Sequence, residues 1–540
     1  MIQKKNKKMD ISTSMLRGLE ILLLILAGWL VKIPILHGQS ENWSKPINLS
    51  SGSEFAWFPD ITVDLGGRIH VVWTTTTLPT VGSPLQKDEK KTYYDQVIYT
   101  TSLDGEIWSS WTDITAYEVK AGVEATRPAL LTDKHGRFHM TSRYNRIYYI
   151  QTPVNLVLSI APSLLPRKLS YDFSYYSRLA IDKNDTLHLV YTEFLPDEKT
   201  INQTRCLWVL YRQSTDNGQS WSKPINISKL PTGSAKPQIL IDSQNYIHVV
   251  WESGEGGDIG QLYGIVKVMY TASYDNGITW TSPAQFTTKT TESAKSIAIG
   301  LDNKDNLLVA WLSLPENRIY YQLSYNHGHS WTPPQLLPGV FGGVEVFPSR
   351  LDDYAMATDN AGNIHLVFVG TTVIKEKSLS VFHMMWNGLS WSKAEPITTL
   401  LGDVPEWPRI AIGKGNELHV VWFVRNEEGL WGNGKIDYKV WYSKAMISAP
   451  LLPTVTWPTV TPTATPTITP IPTIIPTATP TPTLSPKLLK IEPSVAQAIQ
   501  TVYTDFDELT LLIVSLTPAF LIVFSLVTAI RIWKHRRFRN

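Results

Sequence analysis

Six histidines recur in one local phrase. His70, His139, His188, His248, His365 and His419 each sit one residue into an apolar run such as Ile69-His70-Val71-Val72-Trp73. Histidines in number suggest metal binding or proton transfer. A metal site needs several ligands on one ion, and stacked sheets stand about 10 Å apart. Equivalent histidines, one per sheet, cannot share an ion, so a buried structural hydrogen bond is expected of each. Neither a Cys/His cluster nor a phosphate-binding Gly loop accompanies them, and no metal or cofactor is expected. Cys206 is the single cysteine, which rules out an intrachain disulfide and suits a plain buried thiol.

Aspartates recur in a second phrase, Ser-x-Asp-x-Gly-x-Thr/Ser-Trp. It is complete at Ser214, Asp216, Gly218 and Trp221, and at Ser273, Asp275, Gly277 and Trp280. Ser102, Asp104, Gly105 and Trp108 form a version one residue short. Asn326 replaces Asp between Ser324 and Gly328 before Trp331, and Trp386-Asn387-Gly388 with Trp391 retains less. Asp can cap a tight turn through backbone N–H groups, Gly supplies φ > 0, and Trp covers the turn. The role read from this is structural, because a ring of equivalent positions does not converge on one substrate.

Both phrases belong to a larger unit. The histidine phrase and its variants end at Trp73, Met140, Tyr191, Trp251, Trp311, Phe368 and Trp422, at blade-like spacing. Each unit reads as a four-stranded sheet, and seven units read as a seven-bladed all-β propeller, with six blades the alternative. The last copy stops at its third strand near Val440-Trp441-Tyr442-Ser443. The exported chain begins with an orphan fourth strand, Trp43-Ser44-Lys45-Pro46-Ile47, which is predicted to complete blade seven. Blade two lacks the aspartate phrase and runs into Val154-Asn155-Leu156-Val157-Leu158 instead.

The aspartate phrase is the Asp box, and over roughly 400 residues the chain resembles the sialidase-like (BNR/Asp-box repeat) β-propeller superfamily. The resemblance implies boxes on one face and ligand sites on the other, at the starts of first strands and after second strands. Those positions differ between blades, as one asymmetric site requires. They hold Trp57, Arg127, Tyr176, Arg178, Glu252, Asp353, Trp407 and Arg409, the expected ligand-binding set. Aromatic faces stack on sugars, while Arg and carboxylates bind acids and hydroxyls, so a glycan or anionic polymer is the expected ligand. A sialidase would need three arginines, for which Arg127, Arg178 and Arg409 are candidates. It would also need Tyr176 or Tyr354 with Glu252, and Asp60 or Asp353 as acid. The family's Arg-Ile-Pro phrase is absent; Phe58-Pro59-Asp60 stands in its place, and Arg127-Pro128 is a partial echo. The leading expectation is therefore binding without catalysis. A divergent glycoside hydrolase is the alternative, and a protein-interaction propeller using loops 74–95, 253–263 and 425–436 is the second.

The two ends suggest export and anchoring, the layout of a membrane-anchored bacterial surface protein. Lys4, Lys5, Lys7, Lys8 and Arg17 precede the apolar run Ile21 to Val31, which suits a signal peptide over 1–38. The propeller is expected over 39–447, a Pro/Thr-rich stalk over 448–486 and a juxtamembrane segment over 487–508. Leu509 to Ile530 is uncharged and long enough for a transmembrane helix. Arg531, Lys534, Arg536, Arg537 and Arg539 then place the tail 531–540 in the cytoplasm and the propeller outside. A net charge of +2 gives no argument for nucleic acid.

Overall fold

The computed structural model describes residues 42–458 apart from 54, 78–93, 116–124, 161–165, 196–205, 231, 256–261, 287–291, 344–352, 374–378, 399–402 and 427–436. The segments read as signal peptide and transmembrane helix lie outside the described residues. Among the described residues no helix is long and apolar enough to cross a membrane.

Seven antiparallel sheets form a seven-bladed propeller. Blade 1 is Ala56–Val63, Ile69–Thr77, Tyr94–Ser102 and Thr112–Asp113. Blade 2 is Ala125–Thr132, Arg137–Tyr144, Arg146–Pro153 and Arg167–Lys168. Blade 3 is Ser174–Ile181, Leu187–Phe194, Leu207–Ser214 and Ile225–Asn226. Blade 4 is Gly233–Ile241, Ile247–Glu255, Tyr263–Ser273 and Ala284–Phe286. Blade 5 is Ser293–Leu301, Leu307–Leu314, Arg318–Ser324 and Gln335–Leu336. In blade 6 two segments, Phe341–Gly342 and Ala355–Thr358, share the first-strand place against Ile364–Thr371, followed by Ser380–Trp386 and Glu395–Pro396. Blade 7 is Asp403–Gly413, Glu417–Asn426 and Tyr438–Met446, completed by Ile47–Asn48 from the other end of the chain.

The second strands are buried on both faces because each is covered by a neighbouring blade on either side. Ile247–Glu255 is buried at every position but its last. Closure follows the expected route: Ile47 pairs with Tyr442 and Asn48 with Trp441, and a bridge joins Trp43 to Ala445. Pro46, Pro224 and Pro283 each immediately precede a short fourth strand, where no ladder donor is required.

Each histidine links the turn after its first strand to its third strand. His70 Nδ1 lies 2.8 Å from the Tyr99 hydroxyl and Nε2 3.2 Å from the Asp64 carboxylate. The same relay joins Asp133, His139 and Tyr149, and likewise Asp242, His248 and Tyr270. His188 contacts Tyr211 at 2.8 Å, and His419 contacts Tyr442 at 2.8 Å. In blade 6, His383 replaces the tyrosine, 2.9 Å from His365.

The Asp boxes clasp these tyrosines across blade interfaces. Asp216 accepts from Ser220 N and the Ser214 hydroxyl at 2.8 and 2.7 Å, and Gly218 takes φ 78°. The Ser220 and Ser214 hydrogen bonds hold the Asp216 carboxyl down to about 2. Asp275, Gly277 and Trp280 repeat this turn in blade 4. In the shortened box, Asp104 caps Glu106 N and Ile107 N. Trp221 packs edge-on to Tyr149 of blade 2, Trp280 to Tyr211, Trp331 to Tyr270, Trp391 to Tyr321 and Trp108 to Tyr442. Trp43 takes the same place over His383.

Candidate functional site

Six of the seven first strands break register near their start. The breaks lie between Trp57 and Asp60, Thr126 and Ala129, Ser174 and Ser177, Ala235 and Gln238, Lys295 and Ala298, and Glu406 and Arg409. Such a bulge re-aims side chains. At five of them a non-glycine residue has positive φ: Phe58 49°, Arg127 55°, Lys236 48°, Ser296 54° and Trp407 56°. Each such conformation costs on the order of 1–3 kcal/mol, and strain of this kind concentrates at functional sites.

Two residues beyond the left-handed position stand Asp60, Gln238 and Arg409, and Arg178 holds the matching place in blade 3. These four cross-link the blades. Arg178 reaches Asp60 at 3.6 Å, spanning blade 2. Arg409 Nη2 donates to Asp353 at 2.8 Å. Gln238 Nε2 lies 3.4 Å from both Asp353 oxygens and donates to Tyr354 O at 3.0 Å, spanning blade 5. Asp60 also accepts from Leu130 N at 2.8 Å.

Aromatic rings pack around this network. Trp407 lies near-parallel to Tyr176 at 6.4 Å and edge-on to Phe58 at 5.2 Å. The Arg409 guanidinium lies 4.2 Å from the Trp407 ring centre, and that of Arg178 lies 5.8 Å from it. Arg127 is sandwiched between Phe58 at 4.1 Å and Tyr175 at 4.0 Å. Arg127, Tyr176, Ser177, Arg178, Lys236, Pro237, Asp353 and Trp407 enclose a cavity of about 10 Å³. That is room for about one water molecule.

Burial sets the electrostatics. It pushes the Tyr176 phenol up to about 12, against the pull of Arg127. Burial and the Arg178 charge bring Arg409 down to about 10, opposed by Asp353 and Asp60. Glu252 accepts from Lys236 Nζ at 3.3 Å and Ser296 N at 2.7 Å.

Of the expected ligand-binding residues, Arg127, Tyr176, Arg178, Asp353 and Trp407 line one cavity, and Arg409 braces it. Glu252 stands behind Lys236. Trp57 packs instead against Phe55, Phe58 and Tyr438. Tyr354 is buried edge-on to Phe368. Gln238 and Tyr175 were not anticipated. Aligning the repeats on the bulge would have found Gln238, which shares its position with Asp60 and Arg409.

No protein-family model matches the sequence, and no curated protein matches it. Among solved structures, the chain is similar to a protein of unknown function from Dyadobacter fermentans at 14% identity and TM-score 0.44, covering 75% of this chain and 100% of that one. It is similar to the NanB sialidase of Streptococcus pneumoniae at 13% identity and TM-score 0.41, covering 76% and 70%. It is also similar to an ulvan lyase at 9% identity and TM-score 0.45, covering 74% and 96%.

Proposed function

We propose that this chain is a membrane-anchored cell-surface propeller that binds an anionic glycan over its axial site without catalysis. The observation that carries the reading is the gathering of Arg127, Arg178 and Arg409 with Tyr176 and Trp407 around one asymmetric cavity. Guanidinium groups suit carboxylate or sulfate, and aromatic faces suit the apolar side of a sugar ring. Two features argue against turnover. Burial raises the Tyr176 phenol above the ordinary tyrosine value, so its oxyanion is harder to form, and Glu252 is engaged by Lys236 and Ser296 N. The cavity holds about one water, so a sugar would sit at its mouth or displace an internal ion pair.

The hydrolase reading draws its support from the same three arginines, although Arg178 and Arg409 each already hold an internal carboxylate. The test is binding of sialylated, uronate-bearing and neutral oligosaccharides, with hydrolysis of a fluorogenic sialoside measured in parallel. Binding of the acidic sugars that Arg127→Ala weakens, without turnover, supports the proposal. Turnover abolished by Arg127→Ala makes the protein a hydrolase. Absence of any saccharide binding would favour a protein partner.

A further inference from the structure

On the face opposite the axial site, the turns between first and second strands are linked from blade to blade. His135 Nε2 and Lys134 Nζ both reach Asp185, each at 3.0 Å, joining blades 2 and 3. Lys183 Nζ donates to Ser243 O at 2.8 Å, and Ser243 N to Asp305 at 3.0 Å, joining blades 3, 4 and 5. Asn303 donates to Ala361 O at 3.3 Å and Asn360 N to Gly415 O at 2.9 Å, continuing through blades 6 and 7. Among the described residues, these turns do not bond directly to one another between blades 7 and 1 or between blades 1 and 2. The first interface is the seam where the ring closes. The second lacks an Asp-box tryptophan; there Thr62 and Thr132 connect the first strands.

Residues 450–458 cross these two interfaces. The carbonyl of Pro450 accepts from Asn360 Nδ2 at 3.0 Å. Leu452 N donates to Lys414 O in blade 7, and Val455 N to Leu65 O in blade 1, each at 2.8 Å. Trp457 then lies across blades 1 and 2: a Cβ on Gly66 would be 2.9 Å from its Nε1, and one on Gly136 2.6 Å from its Cε3. Its ring joins the hydrophobic cluster of Val72, Tyr99, Phe138 and Val154. Asn155 Nδ2 donates to Pro458 O at 2.7 Å. Beneath Leu452, Pro453 and Thr454 lies a cavity of about 220 Å³, bounded by the first-strand ends Val63, Thr358 and Ile412.

We infer that residues 450–458 are a latch that holds the ring closed, supplying the two missing links of the turn face. Its backbone donors bridge the seam, and Trp457 stands in for the absent Asp-box tryptophan of blade 2. The chain leaving at Pro458 is thereby fastened to the propeller where the ring is least connected.

The test is hydrogen exchange by mass spectrometry on the full chain. Leu452→Pro with Val455→Pro removes both bridging donors, and Thr456→Pro serves as control. The expected result is roughly tenfold faster exchange in blades 7, 1 and 2, with blades 4 and 5 unchanged. Unchanged exchange everywhere, or equal acceleration in all seven blades, would overturn the inference. If the double variant does not accumulate, Trp457→Ala is compared with Trp457→Phe. Acceleration confined to blades 1 and 2 in the alanine variant alone supports the latch, and any other pattern overturns it.

Discussion

Gly218 in blade 3 lies so close to Tyr149 of blade 2 that a Cβ there would stand 2.2 Å from the tyrosine hydroxyl. Gly277 meets Tyr211 in the same way, and Gly328 meets Tyr270. The tyrosine is already held by its histidine, and the next blade's Asp-box tryptophan covers it. The box thus serves an interface as well as a turn. Gly388 provides an internal control, with φ 90° and nothing within 4 Å of an added Cβ. Gly388→Ala should cost about 1 kcal/mol, the backbone term alone. Gly218→Ala should cost about 2–4 kcal/mol, because the tyrosine must also move. Chemical denaturation of the two variants checks this, and equal losses would show that the clasp contributes nothing.

The buried relays make stability fall on acidification in two stages. Burial holds His70, His248, His383 and His419 below the ordinary histidine value, despite their acidic partners. The unfolded chain therefore binds more protons than the folded one once pH drops below about 6.5, and stability declines from there. Burial pulls Asp64, Asp133, Asp182, Asp242 and Asp359 upward, but hydrogen bonds from histidine and backbone N–H groups leave each below its ordinary value. Their contribution is present above about pH 4 and lost as pH falls through the folded values. Urea midpoints should be flat from about pH 8 to 7, drop towards pH 5, and drop again below 4. His248→Leu borrows the residue type that Leu308 supplies in blade 5 and should shallow the first drop.

The Asp353–Arg409 pair is the buried charge contact on which the axial site depends most directly. Both side chains are almost wholly shielded, and Gln238 approaches the same carboxylate. Removing one partner of a buried pair typically costs about 3–5 kcal/mol, because the other charge stays desolvated. Asp353→Asn should therefore destabilise by roughly 3 kcal/mol, less whatever Asp60 recovers by attracting Arg409. A loss under about 1 kcal/mol in thermal unfolding would mean that water reaches the pair.

Much of this fold is legible because it repeats. The histidine phrase, with its variant at Leu308, sets the blade count, and Trp43-Ser44-Lys45-Pro46-Ile47 matches fourth strands elsewhere closely enough to reveal the closure. The structural reading of the histidines follows from their equivalence. What repetition hides is contact between units. The Asp box reads as a local turn, yet Gly218 and Trp221 work on Tyr149 of another blade. Arg127, Tyr176, Arg178, Asp353 and Trp407 line one cavity, but the placing of Asp60 and Arg409 for their ion pairs depends on bulges at Phe58 and Trp407, where no glycine marks the left-handed conformation. Trp57, next to Phe58, packs against Phe55 and Tyr438 instead. For residues 450–458, Pro and Thr content excludes a core of their own but carries no sign of docking through two backbone N–H groups and one tryptophan.

Trp43 should be more sensitive to truncation than the Asp-box tryptophan Trp331. Its side chain is buried in the cluster of Val367, Val381, Leu418 and Trp422, which spans blades 6 and 7. It packs edge-on to His383 at 5.4 Å, and its Nε1 reaches Glu395 at 3.4 Å. Truncating a buried tryptophan to alanine costs about 3–5 kcal/mol by lost packing alone. Trp331 is only half-buried, so Trp331→Ala should lose less. At Trp43 the strand that follows is short: Ile47 and Asn48 pair with Tyr442 and Trp441, flanked by hydrogen bonds from Ser44 N to Lys444 O and from Leu49 N to Val440 O. Losing the ring would release that strand and open blade 7. Trp43→Ala should therefore lower the unfolding midpoint further than Trp331→Ala and admit protease between residues 42 and 53. Equal midpoints with an intact N-terminal segment would show that the strand pairing closes the ring without its tryptophan.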